Sequence, residues 1–365
     1  MSQGNGASQS KRYWVGGATG FLGAHLAAAL RDAGHEVVGV SRSGGELEGV
    51  EVRAVDVLDE AAVCDSARGM DGAFLCTGLV SRNPDDAELL HRMNVTAVRT
   101  ALSGLRRAGV RRVVVASTSG TIAIGKEPDQ IFDEDSPAPV ELISRFPYYR
   151  SKLYGEREAL DASDDELEVV VVNPTLLLGP GDFRDSSTED VRRFLEREIP
   201  AIPQGGIAFV DVRDAATGMV AAFERGRARE RYLLNGKNMT MVAFFQRLER
   251  LTGVTAPRLV LPASRALAVG ANALFSRAIR GLGGEPPVDE TTFEMGCYYW
   301  YASSAKAERE LGFVARDPGE TLRDTVEDLI RRGAAHPRTS EGLPDAARRA
   351  LAAIVSRARQ APPTQ

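Results

Sequence analysis

Tyr148 and Lys152 stand four residues apart at the start of a helical stretch, a spacing that brings a phenol and an ammonium onto one helix face. A free tyrosine titrates at about pH 10 and is a poor proton donor at neutral pH; a fixed ammonium beside it favours the phenolate and lowers that value. Such a pair can serve as a general acid or base. The same spacing also occurs on solvated helix faces, so its meaning depends on what the rest of the chain places around it.

Three further groups of residues have chemical character. Gly17, Gly20 and Gly23 lie in GGATGFLGAHLAAALRDAGH, between an apolar strand at 13–15 and an alanine- and leucine-rich helix. Glycines so placed allow a tight turn, close approach of backbone to a pyrophosphate and close packing of helix on strand. Phe21 and Leu22 open the helix, whose N–H donors and dipole favour an anion. With a second strand following at 36–40, the order predicts dinucleotide binding. Next, Ser117, Thr118 and Ser119 follow the β-branched run 110–116, where hydroxyls either touch a ligand or cap the loop. Finally, Asn94 falls inside an expected helix at 85–108. Asparagine is locally unfavourable there, so it is either exposed or has a buried polar role.

These groups need a scaffold, and the chain alternates strand and helix to supply one. Strands are expected at 13–15, 36–40, 50–55, 73–76, 110–116 and 167–172, with helices at 60–68, 85–108 and 148–162 between them. The fold class is therefore α/β, a Rossmann-type doubly wound parallel sheet with a smaller, mainly helical substrate domain. Ligands of such a sheet sit beyond the carboxyl ends of its strands. Asp56 and Val57 would then border the adenine, and Cys76, Thr77 and Gly78 the phosphate-ribose path, although Asp56 reads equally well as a turn former. Pro174, where the chain leaves the sheet, completes the expected cofactor set. The long stretch 120–147 reads as an ordered, functional loop.

Composition narrows the function classes. The net charge of −5 is spread along the chain and arginines alternate with acids, so no basic stripe offers itself to nucleic acid. Three cysteines without C-x-x-C spacing and four scattered histidines argue against a disulfide framework and a structural zinc. No apolar leader and no run of 18 apolar residues occur, which implies a cytoplasmic protein whose partner is a small molecule; a homodimer is allowed and a membrane contact is not expected.

With the glycine loop, the hydroxyl cluster and Tyr148-x-x-x-Lys152 in this order, residues 12–330 resemble the extended short-chain dehydrogenase/reductase family. The nearest branch holds dihydroflavonol reductases, 3β-hydroxysteroid dehydrogenases and hopanoid-associated epimerases; VDVRD at 210–214 and SSAKAERELGF at 303–313 are similar to segments recurring there. The resemblance implies that Tyr148 is the proton donor and Lys152 its pKa-lowering, ribose-binding partner. It implies that Asn94 belongs to a water relay and that Thr118, or alternatively Ser119, holds the substrate carbonyl. One departure is Gly16, where the family usually has threonine. The second strand ends in Ser41 and Arg42, where NAD-selective enzymes place Asp or Glu for the ribose 2′-OH. A guanidinium and a hydroxyl can instead grip a 2′-phosphate, so NADP(H) is expected in preference to NAD(H).

The expected organisation is a tail at 1–11, a dinucleotide domain at 12–182 completed by about 208–236, a substrate domain at 183–207 and 237–315, and C-terminal helices and tail at 316–365. FVDVRD at 209–214 reads as a strand of the nucleotide domain. The alanine-rich helix 262–284, with Leu274 and Phe275, reads as buried, or else as a lid over an apolar substrate or a shallow membrane contact. The activity expected is hydride transfer between nicotinamide and a carbonyl or secondary alcohol of a steroid- or polyketide-like molecule. The alternatives are a sugar-nucleotide epimerase or dehydratase with recycled NAD, and a nicotinamide-sensing regulator.

Overall fold

Valine-rich, β-branched runs too apolar for one-sided burial become the strands of a sheet covered on both faces. In the computed structural model, which describes residues 10–261, 269, 270, 273, 277 and 290–338, seven parallel strands lie in the order β3-β2-β1-β4-β5-β6-β9. They are β1 (Arg12–Gly16), β2 (Glu36–Ser41), β3 (Glu51–Ala54), β4 (Gly72–Leu75), β5 (Arg112–Ala116), β6 (Glu168–Pro174) and β9 (Arg231–Leu234). The strand order reverses between β1 and β4, which opens a crevice at their carboxyl ends. The helices, in chain order, are α1 (Phe21–Asp32), α2 (Glu60–Ser66), α3 (Ala87–His91), α4 (Ala97–Arg107), α5 (Val140–Ile143), α6 (Pro147–Asp161), α7 (Glu189–Leu195), α8 (Val212–Arg225) and α9 (Met241–Thr252), followed among the described residues by Glu290–Met295, Ala305–Leu311 and Pro318–Arg331.

Side-chain alternation along each strand feeds two cores. Val15, Phe74, Val114 and Val170 pack under α1 and α8, whereas Trp14, Leu75, Val113, Val115 and Val169 pack under α2, α4 and α6. The glycine at position 16 follows from this packing. A Cβ there would lie 2.7 Å from the Trp14 ring, which fills the space and donates Nε1–H to Ser66 Oγ at 3.0 Å. Gly17 has a φ of +76°, and a Cβ on Gly23 would lie 2.1 Å from Gly17 O, so the close approach of α1 to the turn demands both glycines.

Two expectations change. FVDVRD divides: Phe209–Asp211 ends β8 (Gly206–Asp211), and Val212 opens α8 because the Asp211 carboxylate accepts from Arg213 N and caps the helix. Strand β8 belongs not to the main sheet but to a second sheet of order β10-β8-β7, with β7 at Leu176–Leu178 and β10 at Lys237–Thr240. Its core contains Phe194, Phe209, Phe244 and Leu248, and it includes Leu322 and Val326 of the helix Pro318–Arg331. The expected helix 85–108 is also broken, by a π-helical turn at Arg92–Thr96. The stretch 120–147 does form a loop in the main, tied by bridges from Gly125 to Tyr299 and from Phe132 to Ala302. Nearly all of 262–284, including Leu274 and Phe275, and the part of the expected C-terminal helices and tail at 339–365 lie outside the described residues. Among the described residues no helix is long and apolar enough to cross a membrane.

Candidate active site

Helix α6 begins with Pro147 in its first turn, where the missing N–H has no partner to lose, and carries Tyr148 and Lys152 into the crevice. Both line a cavity of about 820 Å³ that also takes in Gly20, Phe21, Leu22, Cys76, Thr77, Gly78, Asn94, Thr118, Ser119 and Pro174. Residues scattered over more than 150 positions thus converge at the carboxyl ends of β1, β4, β5 and β6.

Tyr148 is partly buried. Burial raises its phenol above the ordinary value, the neighbouring Tyr149 adds to this, and a hydrogen bond from Thr118 works in the opposite direction. Of the two candidate hydroxyls, Thr118 is the one that acts on the Tyr148 phenol, while Ser119 is buried in the same cavity wall; the neighbouring Ser117 Oγ is drawn away to Glu156 at 2.6 Å. Lys152 is 8% exposed, and burial lowers its ammonium to about 8, opposed by Glu156 and Cys76. Its Nζ donates to Ala116 O at 2.8 Å. The expected depression of the Tyr148 phenol by Lys152 is absent from this geometry: Lys152 is engaged by the end of β5, and desolvation dominates at the phenol.

Asn94 resolves to the buried polar reading, with 1% of its surface exposed. Its Oδ1 accepts from Leu79 N at 2.8 Å, and its Nδ2 donates to Leu79 O and to Ser151 Oγ, both at 2.9 Å. The side chain clamps the Gly78–Leu79 loop onto α6, which leaves its amide no hydrogen for a water. The π turn brings it there, and Gly155 lets the two helices meet, since a Cβ on Gly155 would lie 1.9 Å from Asn94 O.

The remaining cofactor candidates separate into two groups. Gly17 and Gly23 shape the turn behind the cavity. Ser41 ends β2, and Arg42, Asp56 and Val57 follow the ends of β2 and β3; none of the four lines the cavity. Ser41 donates its hydroxyl to Gly44 O within its own turn, so of the pair expected to grip a 2′-phosphate the exposed Arg42 is the one still uncommitted. Asp56 accepts from Leu58 N at 3.0 Å, as a turn former does, and Val57 is buried. The crevice fits a dinucleotide. Gly20 caps α1 without a side chain, which leaves the first-turn N–H groups facing the cavity, and Thr77 Oγ1 is buried without a partner beside them.

Residues 13–234 match the model of the NAD dependent epimerase/dehydratase family. The chain belongs to that family, the extended short-chain dehydrogenases/reductases. It is 31% identical to a Synechocystis sp. protein provisionally named dihydroflavonol 4-reductase, over 88% of this chain and 95% of that one. It is 33% identical to sterol demethylase protein B of Methylococcus capsulatus, over 68% and 76% respectively. The solved structure of MoeE5 in complex with UDP-glucose and NAD is similar with a TM-score of 0.67 and 25% identity, covering 89% of this chain and all of that one. The protein is thus an oxidoreductase of the extended short-chain type, from a family dependent on NAD.

The fold of this family member also assembles groups that sequence reasoning missed. Arg82, in the loop after β4, makes a two-pronged pair with Asp190 of α7 at 3.3 and 3.1 Å, joining the two halves of the molecule across the cavity. Burial pushes the Asp190 carboxyl up, but Arg82 outweighs it and the net direction is down. The Tyr149 ring lies 4.7 Å from Trp300 at 31° and extends the aromatic wall beside Tyr148. Glu156, Asn173 and Arg231 form a buried polar knot behind Lys152. Nothing local announces these partners, because Arg82 and Asp190, Tyr149 and Trp300, and Glu156 and Arg231 are each far apart in sequence, and Asn173 lies on a different element from Glu156.

Proposed function

We propose that the protein reduces a carbonyl of an apolar substrate, or oxidises the matching secondary alcohol, with NADP(H) as its preferred dinucleotide. The convergence of Thr118, Tyr148 and Lys152 on the cavity that receives the α1 N-terminus carries this reading. When bound, the nicotinamide supplies or accepts the hydride. Thr118 holds the substrate oxygen beside Tyr148, and the phenol gives that oxygen its proton in the reductive direction. Burial keeps the phenol protonated at neutral pH, which suits donation, and the Thr118 hydrogen bond eases the charge left on the phenolate. Lys152 contributes positive charge to the same site and a donor for the ribose. The walls favour an apolar body: Leu177, Ile199, Met241, Phe245, Phe293 and Trp300 line the far side of the cavity. The reductase and sterol names of the relatives agree with that choice.

The preference for NADP(H) rests on Arg42, since a charge-assisted contact to a 2′-phosphate contributes roughly 1.5–3 kcal/mol, or about ten- to a hundred-fold in affinity. In binding titrations NADPH should exceed NADH by about that factor, and Arg42→Ala should remove most of the difference while leaving NADH binding unchanged. Equal affinity in the wild type would remove the assignment. A panel of apolar ketones, followed by loss of nicotinamide absorbance, tests the reaction itself. Cofactor that stays bound with no net turnover would favour the sugar-nucleotide reading that the likeness to MoeE5 supports.

A further inference from the structure

A buried carboxylate is tolerated only when its oxygens are paired and hydrogen-bonded. Glu156, one helical turn beyond Lys152 on α6, is 3% exposed. Its Oε2 accepts from Ser117 Oγ at 2.6 Å and from Asn173 Nδ2 at 2.7 Å, with Thr121 Oγ1 at 2.8 Å, and its Oε1 faces Arg231 Nη1 at 3.2 Å. These partners come from the exit of β5, from β6, from β9 and from the turn Ser119–Thr121. Ala116, the residue before Ser117, gives its carbonyl to Lys152. Lys152 and Glu156 therefore grip two consecutive residues at the end of β5, and the next residue is Thr118. Asn173 Nδ2 also donates to Thr118 O at 3.1 Å, so the knot extends to the residue that meets the phenol.

We propose that Glu156 is a positioning residue that binds the ends of β5, β6 and β9 to α6 and, by its charge, keeps Lys152 an ammonium beside Tyr148. The inference rests on the reading of Tyr148 and Lys152 as the reacting pair. The groups that face Lys152 are Glu156 on its own helix and Cys76 at the end of β4, and Arg231 of β9 faces Glu156 in turn. Burial pushes the Cys76 thiol up to about 12, so it is neutral at physiological pH and Glu156 is the anion that opposes the desolvation of Lys152. A glutamine at 156 can keep much of the hydrogen bonding and loses the charge.

The chain has five lysines, Lys11, Lys126, Lys152, Lys237 and Lys306, so carbon-13 labelling at lysine Cε lets NMR follow Lys152 directly, with Lys152→Arg identifying its signal. The wild-type midpoint is expected at about 8. Glu156→Gln should lower it by about one pH unit or more, and Arg231→Met, which removes the opposing cation, should raise it. A role confined to packing would leave both midpoints in place. An unmoved midpoint in Glu156→Gln overturns the proposal; should that variant not fold, an unmoved midpoint in Arg231→Met does the same. Turnover of apolar ketones by Lys152→Ala and Tyr148→Phe is measured alongside. Wild-type rates in those two variants, with the midpoints moving as stated, would overturn the catalytic reading and not the electrostatic coupling.

Discussion

A phenol held in a desolvated cleft stays protonated beyond neutral pH, and that is the state a proton donor to a carbonyl requires. Tyr148→Phe keeps the ring and removes the proton, so turnover should fall by about 10²-fold or more while dinucleotide affinity stays nearly constant; steady-state rates and a binding titration check this, and unchanged turnover would remove Tyr148 from the chemistry. Lys152 makes a prediction about stability. Its value is about 8 in the fold against an ordinary 10.5, so between these limits the unfolded chain binds more protons. Stability from this group is therefore present above pH 10.5 and lost as pH falls through 8. The advantage of Lys152→Met over the wild type should be largest below pH 8 and shrink by about 3 kcal/mol at high pH, as read by urea unfolding at several pH values. A difference independent of pH would show that no buried ammonium exists. Tyr148, Lys152 and Thr118 were legible as residue types at a spacing. Glu156 was not, because a glutamate four residues after a lysine on a helix reads as a solvated pair until three strands are known to close over it.

At the level of elements, the break in the helix around Asn94 shows how local cost is turned to position. The π turn swings Asn94 towards the Gly78–Leu79 loop, and α6 approaches it through Gly155. Gly155→Ala places a methyl 1.9 Å from Asn94 O, so the two helices must separate. This substitution should destabilise the protein by about 1–3 kcal/mol and shift α6, lowering turnover as Tyr148 and Lys152 move; thermal unfolding and rates read both effects, and a fully stable, fully active variant would show that the approach of these helices positions nothing. The sequence signalled this region only as an asparagine out of place. Neither the π turn nor the role of Gly155 has a local signature, since both depend on two helices meeting across some sixty residues. Glycine at 16 was visible only as a departure from the family, and its cause, the Trp14 ring on the same sheet face, is a matter of packing.

On the scale of the whole molecule, the alternation of β-branched runs with amphipathic stretches made the doubly wound sheet legible, because each signal is local and repeats. Membership of strands in sheets was less so. FVDVRD has the apolar pattern of a strand but not its address: the Asp211 cap ends it early, and pairing with Leu176–Leu178 and Lys237–Thr240 draws it into the second sheet. Leu177 of that second sheet and Phe245 of its core line the cavity that holds Tyr148, so this wall is built by parts of the chain whose partners are far away in sequence. The choice between a net reductase and an enzyme that recycles its cofactor is a property of the assembled cavity. It is decided most directly by supplying NADPH deuterated at the transferable position of nicotinamide C4 with a ketone that the enzyme accepts, and following the label by mass spectrometry. One NADPH should be oxidised per alcohol formed, with deuterium on the new carbinol carbon and both lost in Tyr148→Phe; label that remains in, or returns to, a tightly held cofactor without net oxidation would rule out a net reductase.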